Sequence, residues 1–107
     1  GICLVGGAER SARYTRAQWA ALAQLVLKLT AQLRIPLNPA VRVAKAAAPG
    51  YDVLGGVCGH RDLSPDKNGS GKAEPVEWLK TCPGFDAEAW LSNGLRPLPV
   101  HVFTVDA

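Results

Sequence analysis

Two side chains stand out for the chemistry they can do. His60 follows an apolar run and a glycine, and Cys82 sits in the word Lys80-Thr-Cys-Pro83. Imidazole nitrogen and thiolate sulfur are both good zinc donors. A structural zinc site takes four protein ligands in tetrahedral order, and a catalytic one takes three and leaves a position for water. By spacing alone the pair fits two readings: half of a metal site, or a surface histidine and a buried, inert thiol.

The chain between them is the most polar of the sequence. Residues 66–77, DKNGSGKAEPVE, follow the calcium-loop template of alternating oxygen donors around a central glycine. Asp66, Asn68, Ser70, the Lys72 carbonyl, Glu74 through water and a bidentate Glu77 would supply the oxygens. The entry is unlike the template, because Leu63-Ser64-Pro65 forbids a standard incoming helix, and Ala73 replaces the usual β-branched residue. The other reading is a polar turn, since Asp, Asn and Gly favour bends for their own reasons. Trp78, beside this loop, is either core or a contact for a ligand. Arg61, beside His60, is either a partner for an acidic peptide or a solvated charge.

The elements that must position these residues follow from pattern. Ile2–Val5 is an apolar run closed by two glycines and reads as a buried strand. Thr15 and Gln18 fit a capping box. Trp19, Leu22, Val26, Leu29 and Leu33 then recur at three and four, which predicts a helix from about 16 to 34 with one buried stripe. Pro36 stops it. Residues 36–50 hold three prolines and an alanine-rich piece, a short helix or an irregular excursion. Residues 53–58 read as a second buried strand weakened by Gly55-Gly56. Asp86 is a good N-cap for a helix over residues 86–93 that turns Trp90 and Leu91 inward, and Gly94 suits its C-terminal end. Residues 100–105 are a candidate last strand. Strand, helix, strand, loop, helix implies an α/β or α+β layered domain.

Composition sets outer bounds. The 107 residues suffice for one domain, and 48% hydrophobic with 20% charged is ordinary for a globular chain. The net charge of +3 only weakly favours an anionic partner. Arg10, Arg13, Arg16, Lys28, Arg34, Arg42 and Lys45 are scattered rather than clustered, so nucleic acid is not the expected partner. Three cysteines are too few, and odd in number, for a disulfide framework, and they suit a reducing compartment. Cys3 and Cys58 fall in the two apolar runs and read as buried thiols, or as a pair if the strands are adjacent. No stretch approaches the ~20 apolar residues of a membrane span. The chain opens inside the expected first strand, without methionine, which suggests a piece of a longer protein.

Two words carry a resemblance: Val57-Cys-Gly-His-Arg-Asp-Leu-Ser-Pro65, and Glu77-Trp-Leu-Lys-Thr-Cys-Pro-Gly-Phe-Asp86. Together with Gly1-Ile-Cys-Leu-Val-Gly-Gly7 and the Tyr14-Thr-Arg-Ala-Gln18 helix start, they resemble the zinc-dependent N-acetylmuramoyl-L-alanine amidases of the type-2 family. Phage endolysins are the nearer likeness and peptidoglycan recognition proteins the more distant one. The likeness runs from Gly1 to about Gly94, in the family's order. It implies an α/β fold with a mixed central sheet flanked by helices, here lacking its N-terminal elements, with an amidase-like part over 1–96 and a tail over 97–107. It implies that His60 and Cys82 hold Zn2+ and that Lys80 assists catalysis near the scissile carbonyl. The partner would be bacterial peptidoglycan, the molecule a monomer, and the setting a host cytoplasm until lysis releases the enzyme onto the wall. A relative that binds the wall without cutting it is the alternative. The family draws a first zinc histidine and an assisting tyrosine from elements before the Gly1–Gly7 stretch. His101, the one other histidine of this chain, is a candidate replacement ligand from the tail, and Asp62, on the same expected strand face as His60, could ligate but reads rather as an outer residue that orients a neighbour.

Overall fold

Thr15 starts the longest element, α1, Arg16–Leu33. The structure, a computed structural model, describes residues 1–7, 9–39, 41–42 and 53–103, with backbone alone at 41, 42, 53 and 54. The capping box forms in full: the Gln18 amide donates to Thr15 Oγ1 at 3.1 Å, and the Thr15 amide donates to Gln18 Oε1 at 2.8 Å. Two of the helix's otherwise orphaned donors are thereby satisfied. At the other end Arg34 turns left-handed, with φ 54°, and its amide returns to the Thr30 carbonyl. The helix therefore ends just before Pro36, as the sequence requires.

The buried face of α1 is Trp19, Leu22, Val26 and Thr30. Thr30 is polar, but its hydroxyl lies 2.8 Å from the Val26 carbonyl and 3.1 Å from that of Leu27, so it carries no unmet bond into the core. Leu33, expected on the same stripe, is 64% exposed. A straight helix falls about 20° short of two full turns in each seven residues of a three-and-four stripe, so the stripe drifts round the helix and its far end leaves the core.

Against α1 packs an aromatic cluster. The rings of Trp19 and Phe85 lie 4.9 Å apart, Tyr14 meets Trp19 edge-on at 5.9 Å, and Trp90 lies 6.2 Å from Phe85. Offset and edge contacts of this kind add to the burial of the rings. Trp90 is carried by α2, Ala87–Ser92, whose N-cap Asp86 accepts from the amides of Glu88 and Ala89 at 3.0 and 3.3 Å. The stretch after Pro97 returns to the core. Tyr14 and Val102 form an isolated parallel bridge, with Tyr14 N–H donating to His101 O at 2.8 Å and Phe103 N–H to Tyr14 O at 3.2 Å. Trp19 Nε1 donates to the same His101 carbonyl at 3.1 Å.

The expected α/β fold with a mixed central sheet does not form. Among the described residues the extended pairing is one two-residue antiparallel ladder, β1 (Val41–Arg42) with β2 (Val53–Leu54), and the isolated bridges Tyr14–Val102 and Pro39–Val57. The architecture is mostly helix and irregular chain. Each lost strand has a local reason. Among the described residues no strand neighbours 2–5, and the Val5 carbonyl accepts from Gln18 Nε2 at 2.6 Å instead. A strand without a ladder leaves its amides unmet, so an apolar run is not sufficient to make one. Residues 53–58 are cut at Gly55 and Gly56, whose φ values of 64° and 72° leave the extended region. Pro99–His101 is a 3-10 turn, which uses up the start of the last expected strand. Residue 40, the alanine-rich 43–52 and residues 104–107 lie outside the described residues.

The core gives a direct expectation. Trp19→Ala, which empties the centre of the aromatic cluster, should cost about 3–5 kcal/mol. Asp86→Ala, which removes only a cap, should cost about 1 kcal/mol. Urea unfolding followed by fluorescence or circular dichroism checks both, and equal losses would show that the cluster is not the centre of stability.

Candidate functional site

Three residues set the position of His60. Gly59 N–H donates to Asp62 Oδ2 at 2.8 Å, which closes residues 60–63 into a single 3-10 turn. His60 therefore does not end a strand, and the expected strand face shared with Asp62 does not exist. Asp62 holds the turn that carries His60. Arg61 N–H then donates to the Cys82 carbonyl at 2.8 Å, which brings the two halves of the stretch together. Gly59 permits this approach: a Cβ there would stand 2.5 Å from Pro83 Cδ. The glycine is needed for closeness, not for an unusual backbone angle.

The outcome is a contact between the two candidate ligands. His60 Nδ1 lies 3.1 Å from Cys82 Sγ. Nitrogen and sulfur ligands of one tetrahedral zinc ion would stand roughly 3.5 Å apart, given the usual bond lengths. The pair is thus close to the separation a shared metal needs. In kind, the donors fit zinc. In number they fall short, since no group of three or more His, Cys, Asp or Glu side chains able to hold a metal occurs among the described residues.

Both residues line a cleft of about 820 Å³. Its walls include Leu22, Val26 and Leu29 of α1 together with Phe85 and Trp90. Cys3 and Cys58 line it too, and neither is the buried thiol expected: Cys3 is exposed, Cys58 is half-buried, and no disulfide joins any of the three cysteines. His101 is not near this role. It is buried, with Nδ1 2.8 Å from the Ala12 carbonyl, and it ties the loop before Tyr14 to the returning chain. Lys80 is exposed, two residues before Cys82.

The polar insertion closes on itself. Asp66 is buried, and its carboxylate accepts from the amides of Ser70 at 3.1 Å and Gly71 at 2.8 Å. Glu77 accepts from Lys67 N–H at 2.6 Å, from Asn68 N–H at 3.3 Å and, on its other oxygen, from Glu74 N–H at 3.1 Å. Ser70 Oγ donates to the Lys72 carbonyl at 3.0 Å. Asn68 Oδ1 accepts from Ser70 N–H at 3.0 Å, and its amide nitrogen donates to Glu74 Oε1 at 3.1 Å. Hydrogen bonds from Ser70 and Asn68 hold the Glu74 carboxyl below its ordinary range. The oxygens that would bind calcium therefore face backbone amides and one another.

A second lock joins the insertion to the His60 turn. The Arg61 guanidinium lies 4.0 Å from the centre of the Trp78 ring, and Arg10 approaches the same ring at 5.4 Å. Trp78 Nε1 donates to the Ala73 carbonyl at 3.0 Å, and Leu79 N–H to Ser64 Oγ at 2.9 Å. Arg61 is buried, not solvated, and burial pulls its pKa down despite the opposing pull of Asp62. Its cation is held by an aromatic face, a good match for a flat guanidinium. The sequence shows Arg61 and Trp78 but gives no sign that they meet. Tyr14 is a further residue that pattern does not mark, 1% exposed and in contact with the chain around Cys82.

No family model matches this chain, and no solved structure matches it. An uncharacterized protein of Haemophilus influenzae is 44% identical over 97 residues, covering 87% of this chain and 67% of the relative. The chain belongs to that protein's family. The relative's description names no activity, so the family fixes kinship and leaves the chemistry to the site.

Two expectations follow. Asp66→Ala removes the acceptor of the Gly71 amide and leaves the Ser70 amide with Asn68 Oδ1 alone, and it should cost about 1–3 kcal/mol in urea unfolding. Burial and nearby Glu9 raise the Tyr14 pKa above its ordinary 10.0. A folded pKa above the unfolded one means the native state holds its proton longer. Stability is then unaffected below pH 10 and falls as pH rises through 10 towards the folded value. Tyr14→Phe should flatten that alkaline limb in pH-dependent melting, and an unchanged limb would assign it to other groups.

Proposed function

We propose that this chain forms part of a zinc-dependent peptidoglycan hydrolase that cleaves the amide between N-acetylmuramic acid and L-alanine. The observation that carries the reading is the 3.1 Å contact of His60 Nδ1 with Cys82 Sγ at the wall of an open cleft. It draws together the two motifs that resemble the amidase family. His60 and Cys82 would hold the metal. Zinc, when bound, supplies a Lewis acid that polarises a carbonyl and lowers the pKa of a water to about 7. The chain's own residues do the positioning. The Asp62 carboxylate fixes the turn under His60, and Arg61 N–H fixes the Cys82 carbonyl. Lys80, exposed and two residues before Cys82, would set an ammonium beside the oxygen on which charge develops.

The same reading supports bacterial peptidoglycan as partner and a phage-type setting in which the enzyme waits in the host cytoplasm until lysis. The described residues include no helix long and apolar enough to cross a membrane. Calcium in the 66–77 loop remains a separate proposal, and it would require Asp66 and Glu77 to exchange amide partners for the ion. One observation favours the alternative of a wall-binding module without turnover. The described residues bring two donors together where a catalytic zinc site uses three.

Metal content and turnover distinguish the two. The intact protein should hold about one zinc by elemental analysis, and Cys82→Ser should lose it. Digestion of purified peptidoglycan should free L-alanine amino termini, and Lys80→Ala should lower kcat by roughly 10²–10³ while zinc stays bound. Wall binding with neither zinc nor new amino termini would establish the binding module instead.

A further inference from the structure

We infer that Tyr14 is a positioning residue for Cys82: its hydroxyl, held between the carbonyls of Gly7 and Pro83, fixes the turn that presents the thiol to His60. The inference rests on the proposed role of Cys82 as a ligand and adds a residue that the motifs do not include. The phenol oxygen stands 2.7 Å from Gly7 O and 2.9 Å from Pro83 O, bonds that cross 7 and 69 residues of chain. One proton serves both acceptors, so the hydroxyl acts as a clamp between the Gly6-Gly7 turn and the Cys82 turn.

The clamp is rigid because every other part of Tyr14 is fixed. Its backbone bonds His101 and Phe103, and its ring is edge-on to Trp19 and to Phe85. The turn it holds is fixed at each successive carbonyl. Thr81 O accepts from Gly84 N–H at 2.9 Å, Cys82 O from Arg61 N–H at 2.8 Å, and Pro83 O from Tyr14. Of these three, the first is internal to the turn. The second couples it to His60. The third anchors it to the core, and it alone depends on a side chain. Removing the hydroxyl leaves the Pro83 carbonyl without that donor and the turn free to rotate about its remaining bonds. A ligand whose turn loosens loses the pre-set separation that makes a metal site tight, and outer partners of this kind are worth about 10–100-fold in metal affinity.

The test uses the intact protein with Cys3→Ser and Cys58→Ser, so that Cys82 is the one thiol left. Tyr14→Phe keeps the ring and removes the clamp. Thr30→Val also deletes a buried hydroxyl, one that bonds the Val26 and Leu27 carbonyls of its own helix, and it controls for loss of stability alone. Two quantities are read: zinc affinity by competition with a chelating dye, and the rate of Cys82 alkylation by iodoacetamide without metal. Tyr14→Phe should bind zinc about 10-fold more weakly or worse and alkylate faster, while Thr30→Val matches the parent in both. Wild-type alkylation in Tyr14→Phe, or the same change in Thr30→Val, overturns the role of Tyr14. If the parent takes up no zinc, the proposed hydrolase falls, and the alkylation comparison still decides whether Tyr14 positions the thiol.

Discussion

The approach of Gly59 to Pro83 is the constraint on which the site depends. A Cβ at residue 59 would occupy the position of the proline ring, so any other residue there would force the two strands of chain apart. With glycine in place, Arg61 N–H reaches the Cys82 carbonyl and the imidazole reaches the thiol. The chemistry proposed here needs two soft or borderline donors within one coordination sphere. That need is met by a backbone contact, and the side chains follow from it.

Around that contact the molecule builds support from unlike materials. The Arg61 cation lies on the Trp78 ring, which attaches the polar insertion to the His60 turn. The insertion is held by carboxylates turned onto amides, chiefly those of Asp66 and Glu77. The aromatic cluster of Tyr14, Trp19, Phe85 and Trp90 forms the core, and Tyr14, Phe85 and Trp90 join α1 in lining the cleft. Among the described residues, sheet amounts to one two-residue ladder and two isolated bridges. Positional order comes instead from short turns, each closed by one or two hydrogen bonds that link distant parts of the sequence.

This explains a contrast within the cleft. Its walls are largely apolar, yet the groups that can act chemically stand where turns deliver them. Helix faces are good at burying area and poor at bringing a residue near 60 against one near 82. Turns do the reverse, because a turn can place one side chain without committing its neighbours to the same face. The kinship with the Haemophilus influenzae protein spans most of this chain, so the same division between wall and turn is expected there.

What the sequence determined by itself is what local chemistry controls. The Thr15–Gln18 box, the run of α1 to the residue before Arg34 and the Asp86 cap are all legible, because each depends on residues within one or two turns of each other. His60 and Cys82 are legible as metal-ligating types, and their words carry a family likeness. The sheet is not legible, because an apolar run such as 2–5 states a preference for burial but cannot state that a partner strand is present. The exposure of Cys3 is hidden for the same reason. Only the tertiary structure decided that Asp66 and Glu77 face amides, that Arg61 stacks on Trp78, and that Tyr14 reaches Pro83 across 69 residues. Each of those is a contact between segments far apart in the chain, and sequence periodicity holds no record of which distant segment a side chain will meet.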